Sequence, residues 1–215
     1  MLLLSGFVFG IFSSVPALER PDYLATLSGI ETQVLAATFF QAAMAVVYVT
    51  ITVFLYPIIN PYSKSLAAGY FGFRMIGSGF LFVGIGSLLL LLWLSQHSAT
   101  TGKSDLSDIE VFAELLRQGR DIMNHIGMIL PWSIGGCILY YCLYQVRLIP
   151  RWLSAWGTIG SALTLLATIL LMLNIIPLVS PVYFVLNAPI AVCEMFLAIL
   201  LIFRGFNPVE IKSNG

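Results

Sequence analysis

The sequence has very little charge. Only 9% of its 215 residues are Asp, Glu, Lys or Arg, whereas 59% are hydrophobic. A water-soluble domain carries roughly a quarter charged residues, because its surface must be wetted. The composition therefore excludes an ordinary soluble domain and indicates a protein that lies within a membrane.

Cysteine motifs and basic runs are also missing. The three cysteines lie in apolar stretches without a C-x-x-C motif or a histidine cluster, so neither a disulfide framework nor a zinc site is expected. Ten basic and ten acidic residues balance to zero net charge, and no basic run forms a nucleic-acid interface. The sequence identifies no cofactor, no metal ligands and no catalytic residues.

Long apolar runs are present instead. They are about 20 residues long, which is what a helix needs to cross a hydrocarbon layer of roughly 30 Å. Because the runs do not alternate with period two, they predict helices and not a barrel. We predict an all-α, polytopic transmembrane helical bundle, a single membrane domain with about six spans near residues 1–17, 34–55, 67–95, 122–146, 153–176 and 182–203.

The first and third runs have unusual lengths. The run from Met1 to Ala17 is short, but no Lys or Arg precedes it, which favours a spanning helix over a secretory signal peptide. If the run were a cleaved signal, the other five spans would keep the same orientation. The third run exceeds one straight crossing, so it should tilt or project beyond the membrane.

The one long polar segment lies between the third and fourth spans. Ser107 and Glu110 form an S-x-x-E capping box, and apolar residues follow at helical spacing as far as Gly119. This pattern predicts a short amphipathic helix. It would either lie on the membrane surface or form a lid packed on neighbouring loops.

The basic residues favour one orientation. Six spans place both termini on one side, which collects most of the cations and only one acid: Lys64, Arg147, Arg151, Arg204 and Lys212, with Arg74 near the membrane edge, against Glu210. The other side contains most of the acids, including Asp105, and a smaller number of cations, including Lys103. Basic loops resist translocation, so both termini are expected in the cytoplasm.

Three stretches carry a family resemblance. They are Leu66–Arg74 at the start of the third span, the segment from Leu139 through Arg147-Leu148-Ile149-Pro150-Arg151-Trp152 to Leu153, and the closing Arg204-Gly205-Phe206-Asn207. Together they resemble a family of bacterial multi-pass membrane proteins catalogued as a domain of unknown function, over roughly residues 6–207. The resemblance implies a helical domain in a bacterial cytoplasmic membrane. It brings no catalytic residues, because the family has no established activity.

Two ionisable residues are expected deep in the membrane at similar depths, Arg74 in the third span and Glu194 in the sixth. A lone charge there costs at least about 2.5–3.5 kcal/mol, so each should have a partner. We predict an ion pair between them; in the alternative, Arg74 snorkels to the interface and Glu194 stays protonated. Asn187 lies on the same helical face as Glu194, which makes that face polar over two turns.

A second polar group is predicted near the outer end of the fourth span. Asp121, Asn124 and His125 lie close together, and Pro131 should kink the helix one turn beyond His125. Asp121 and His125 are four residues apart and can interact. This favours an interfacial hydrogen-bonding role over a metal site or a proton relay.

Glycines of the third span repeat every seven residues on two faces, Gly72, Gly79 and Gly86 on one and Gly77 and Gly84 on the other. Small residues at such spacing allow close helix packing in lipid. The stripes are therefore expected to pack against other helices, although they could instead line a passage for a slim substrate.

Three functional hypotheses remain. An accessory, regulatory or ligand-binding membrane protein ranks first, with the lipid bilayer, a second copy of the chain or other membrane proteins as partners. A small transporter-like bundle for an ion or small molecule ranks second, because no inverted repeat of broken helices is evident. An intramembrane lipid-modifying enzyme ranks third, since acidic pairs, histidine clusters and nucleophile motifs are missing.

Overall fold

A computed structural model describes residues 1–98 and 106–206, which are mainly helical and contain no strand. The described residues form eight α-helices: α1 Leu2–Phe12, α2 Tyr23–Leu27, α3 Glu31–Ile59, α4 Lys64–Ser98, α5 Leu106–Ile122, α6 Ile129–Val146, α7 Arg151–Met172 and α8 Pro181–Phe203. Lys103, Asp105, Glu210 and Lys212, which contribute to the predicted charge bias, lie outside the described residues. The all-α bundle predicted from the sequence is confirmed.

Five helical stretches in the described part of the chain are long and apolar enough to cross a membrane. They contain α3, α4, α5 with α6, α7 and α8. The helix α1 is also apolar but has only 11 residues, so it is about 16 Å long and ends before the predicted boundary at Ala17. The chain continues from α1 through a 3₁₀ turn at Pro16–Glu19.

The helices form a closed ring. Contacts join α1 to α3, α3 to α4, α4 to α6, α6 to α7 and α7 to α8, and α8 returns to α1. We call the end that carries α2 and α5 the cap side. The opposite end, which carries the turns around residues 60–63 and 147–150, is the turn side. The helix α1 runs antiparallel to α3, with Gly6 beside Tyr48 and Gly10 beside Met44.

The helix α4 is 35 residues long, or about 52 Å, and so projects beyond one crossing as the sequence predicts. Its cap-side end is held by the N-terminal segment. The Ser95 hydroxyl accepts a hydrogen bond from the backbone N–H of Ser28 (2.8 Å) and donates to the carbonyl of Leu24. A buried apolar cluster around Leu27, Leu88 and Leu91 completes this packing.

The predicted amphipathic helix is α5, and it packs as a lid on the cap side. Ala113 lies in the apolar cluster with α4, and the Tyr23 hydroxyl donates to Glu114 (3.3 Å). The opposite face stays apolar and exposed at Val111 and Leu115. Because α5 continues to Ile122, past the expected end at Gly119, it is not separate from the fourth span.

The join between α5 and α6 is a π-helix at Met123–Gly127. The Met128 N–H bonds to the carbonyl of Met123 (2.9 Å), five residues back. Pro131 has no N–H to donate to the carbonyl of Gly127, which explains why the regular ladder is interrupted here. The predicted kink is therefore present, but it takes the form of a wide turn that begins before His125.

Only one of the two glycine stripes packs against a neighbouring helix. A Cβ on Gly77 would overlap the Trp132 ring, and one on Gly84 would overlap the Asn124 amide. A Cβ on Gly72, Gly79 or Gly86 would meet nothing within 4 Å. The longer stripe therefore faces outward from the bundle and packs on no other helix among the described residues, so its packing against another protein stays a prediction.

Candidate functional site

Arg74 lies in the turn-side third of α4 and points into the ring of helices. Its side chain is only 7% exposed. The guanidinium carbon lies 5.7 Å from the centre of the Tyr70 ring and 5.4 Å from that of Trp132. Such cation–π contacts offset part of the cost of a buried charge, by up to about 2 kcal/mol when desolvated. The buried Nε nevertheless has no hydrogen-bond partner among the described residues.

Contacts with two neighbouring helices hold Trp132 beside Arg74. Its indole N–H donates to the backbone carbonyl of Arg74 (3.2 Å), and its ring centre lies 4.5 Å from that of Tyr48 on α3. The ring fits against α4 because Gly77 has no side chain. Trp132 therefore ties α3, α4 and α6 together at the depth of Arg74.

Glu194 on α8 is half-buried and faces the same interior. The predicted ion pair between Glu194 and Arg74 is not formed. Among residues 1–98 and 106–206, no ion pair joins these two side chains. Instead, both residues line the same two cavities, which share Tyr48 as well. The two residues therefore belong to one site, with space between the helices that carry them.

The first cavity extends from Arg74 and Glu194 toward the turn side, and we call it the turn-side cavity. Its volume is about 300 Å³. Apart from the charged pair, Thr52 and three tyrosines, its walls are apolar and come from α1, α3, α6 and α8: Met1, Leu2, Leu3, Ile51, Phe54, Leu55, Ile58, Leu139, Leu143, Leu197, Ala198, Leu201 and the neighbouring Phe206. It is a hydrophobic pocket with charged groups at its deep end.

The second cavity, here the middle cavity, lies on the cap-side flank of the same charged pair. Its volume is about 250 Å³, and it is lined by Ser133, Ser161, Thr164 and Asn187 as well as by apolar residues. Asn187 donates to the carbonyl of Tyr183 (2.8 Å). Thr164 is 7% exposed, and its hydroxyl has no partner in the described part of the chain. The predicted polar face of α8 thus lines a cavity.

A third, cap-side cavity of about 520 Å³ collects the polar residues of the fourth span. Asp121, Asn124 and His125 all line it, together with Gln41 and Arg120. Gln41 Nε2 donates to Asn124 Oδ1 (3.0 Å), while Gln41 Oε1 is buried without a partner among the described residues. The predicted outer polar cluster is therefore a cavity wall.

Asp121 and His125 do not pair as the sequence suggested. Asp121 instead lies 3.3 Å from Arg120 Nη1, and His125 Nδ1 lies 3.4 Å from the Tyr183 hydroxyl. The π turn explains the difference, because side chains four residues apart no longer stack where the ladder is i to i+5. Within the described residues no group of three metal-ligating side chains occurs.

Sequence reasoning missed several aromatic residues of the site. Tyr48, Tyr70, Trp132 and Tyr140 surround the charged pair, and Tyr140 is 1% exposed. In the sequence they resemble the ordinary aromatic residues of membrane helices. A usable signal was available only for Tyr70, which lies four residues before Arg74 and hence on the same helical face.

Comparison with known proteins agrees with the resemblance noted in the sequence. No curated protein and no solved structure matches the chain. One family model, described as "Domain of unknown function (DUF4386)", matches residues 1–205. Because this match covers nearly the whole chain, the protein belongs to the DUF4386 family.

Proposed function

We propose that this membrane protein binds an amphipathic molecule in the turn-side cavity, with an anionic head group at Arg74 and an apolar body between α1, α3 and α8. The observation that carries the proposal is the buried Arg74 guanidinium. Its Nε lacks a hydrogen-bond partner among the described residues, and it lies at the deep end of an apolar pocket. Ligand sites commonly combine an apolar lining with a few polar groups that fix orientation.

An anion at Arg74 supplies the missing acceptor. A hydrogen bond to a charged group contributes about 1.5–3 kcal/mol, and burial strengthens it because the local dielectric is low. Glu194 lines the same cavity and would repel a fully ionised head group. The favoured head group therefore shares one proton with Glu194. A phosphate monoester monoanion keeps a P–O–H that donates a hydrogen bond to the Glu194 carboxylate, whereas a carboxylate accepts a hydrogen bond from the protonated Glu194.

The distribution of charge supports a location and an orientation. Lys64, Arg147, Arg151 and Arg204 all lie at the turn-side ends of their helices. By the positive-inside rule this side faces the cytoplasm, and the family resemblance favours a bacterial inner membrane. The apolar cavity then lies in the cytoplasmic half of the bilayer, and the cap side with α5 faces outward.

Four ligands that share a ten-carbon chain and differ in their head group test the proposal. Purified protein is mixed with decanoate, decyl phosphate, decanol and decyltrimethylammonium, and its melting temperature is followed. Decyl phosphate and decanoate should stabilise the native protein more than decanol, and the cation should not stabilise it. Equal stabilisation by all four compounds would show binding without recognition at Arg74.

Two arginine variants provide the matched comparison. Arg74→Gln removes the charge inside the cavity, whereas Arg151→Gln removes an arginine that lies over the Tyr144 ring (5.1 Å) outside it. Arg74→Gln should weaken binding of decyl phosphate about ten- to a hundredfold, the equivalent of the 1.5–3 kcal/mol above. Arg151→Gln should bind like the native protein, and a similar loss in both variants would contradict the assignment.

A further inference from the structure

The three cavities are stacked beneath α1. From the turn side to the cap side, α1 and the residues after it line them in order, with Met1–Leu3 on the first, Phe7 on the second and Gly10–Pro16 on the third. The α3 residues that line the stack run from Gln41 to Ile58, a rise of roughly 26 Å. This is most of the thickness of a hydrocarbon core.

The lining of the stacked cavities changes from polar to mainly apolar at the level of Arg74. The cap-side and middle cavities carry charged, amide and hydroxyl groups, whereas the turn-side cavity is mainly apolar. Buried Gln41 Oε1, Arg120 Nε and Thr164 Oγ1 have no partners in the described part of the chain. Buried polar groups in native proteins are usually satisfied, if not by protein then by water. The cap-side half of the stack is therefore suited to hold water.

Two pairs of side chains separate the cap-side cavity from the middle one. Met44 and Met128 line the cap-side cavity, and the rings of Tyr48 and Trp132, which contact each other at an interplanar angle of 50°, line the middle cavity. The two cavities share no lining residue in this conformation. These four side chains form a barrier of flexible thioethers and rings across the stack.

The glycines of α1 lie directly over this barrier. A Cβ on Gly6 would come within 3.2 Å of the Tyr48 ring, and one on Gly10 within 3.3 Å of Met44 Sδ. The helix α1 packs mainly on α3, and these two glycines bring its backbone close to both Tyr48 and Met44. The same helix thus covers the route and its barrier.

From this arrangement we infer that the cap-side and middle cavities form a hydrated half-channel through which an anionic group reaches Arg74 from the cap side. The group is a carboxylate or phosphate, either free in water or the head of an amphiphile. This inference rests on the proposed function only in taking Arg74 as the anion site. It adds that the anion arrives from the cap side, and it assigns Tyr48 and Met44 to the barrier.

Cysteine accessibility tests the half-channel without knowledge of the ligand. The three native cysteines are replaced by alanine, and Ser133→Cys is introduced in the wall of the middle cavity. Proteoliposomes then receive a charged, membrane-impermeant thiosulfonate on one side. Ala25→Cys on the cap side and Ser65→Cys on the turn side serve as sidedness markers, since both residues are exposed. Ile76→Cys, half exposed on the outside of α4, is the control for a membrane-facing position.

We expect Ser133→Cys to react from the cap side at least tenfold faster than from the turn side, and Ile76→Cys to react from neither. Adding Tyr48→Ala should raise the cap-side rate of Ser133→Cys about tenfold or more. A rate for Ser133→Cys no higher than for Ile76→Cys, or faster reaction from the turn side, would overturn the half-channel. Retained binding of decyl phosphate in that case would leave the proposed ligand site standing.

Protection identifies the source of the anion. If free anions use the route, inorganic phosphate should slow the labelling of Ser133→Cys, and Arg74→Gln should abolish that protection. If the head group of an amphiphile uses it, decyl phosphate should protect and inorganic phosphate should not. Protection by neither compound, despite reaction from the cap side, would refute the claim that the route leads an anion to Arg74.

Discussion

Adding one methyl group at Gly77 should damage the site through Trp132. A Cβ at Gly77 would overlap the Trp132 ring and lie 2.9 Å from the backbone carbonyl of Met128. Since the carbonyl cannot rotate away, α4 and α6 must separate, which costs about 1–3 kcal/mol as overpacking. Loss of the indole hydrogen bond to Arg74 adds about 0.5–1.5 kcal/mol.

The helix itself gains from the substitution, because alanine is better than glycine in a helix interior by about 0.5–1 kcal/mol. The net destabilisation of Gly77→Ala should therefore be about 2 kcal/mol, the middle of the range that these terms allow. For a chain of this length that corresponds to a fall of roughly 4–8 °C in melting temperature. Binding of decyl phosphate should also weaken, because the Trp132 ring no longer positions the guanidinium.

Gly79→Ala is the matched control for this prediction. It lies on the same helix two residues away, and its Cβ would meet nothing within 4 Å. Its melting temperature should equal or slightly exceed that of the native protein. Intrinsic tryptophan fluorescence during a thermal ramp in detergent measures both variants. If Gly77→Ala were as stable as Gly79→Ala, the close approach of Trp132 to α4 would be refuted.

Further substitutions test other parts of the fold. Gly84→Ala should destabilise the protein by about 1–3 kcal/mol because its Cβ meets Asn124, whereas Gly86→Ala should not, and chemical denaturation compares the two. Ser180→Ala should cost about 1 kcal/mol in the same assay, since its hydroxyl caps α8. Glu114→Gln should cost less than about 1 kcal/mol, because its ion pair is partly exposed, and a shift above 3 °C would contradict this.

The sequence predicted the membrane helices well, because apolar length is a direct physical requirement of the bilayer. It predicted the end of the first helix less well, since α1 ends at Phe12 and a 3₁₀ turn follows at Pro16. It also placed a boundary at Gly119, although the helix runs on. A glycine in a helix interior destabilises the helix by only about 1 kcal/mol relative to alanine, and packing contacts of neighbouring residues readily offset that amount.

The site was only partly predictable for a different reason. Burial of Arg74 and Glu194 at one level follows from their positions along the helices. Whether they touch depends on the lateral order of the helices around the ring, which hydropathy does not encode. The two glycine stripes illustrate the same limit, because Gly77 and Gly79 look alike in the sequence and differ only in what neighbouring helices place beside them.

We propose above that Arg74 holds the anionic head of a ligand inside the bundle. The most direct measurement is calorimetric titration of decyl phosphate into the native protein and into Arg74→Gln, both in lipid nanodiscs. We expect saturable binding at one site in the native protein and an affinity ten- to a hundredfold lower in Arg74→Gln. Equal affinity in the two proteins would contradict it.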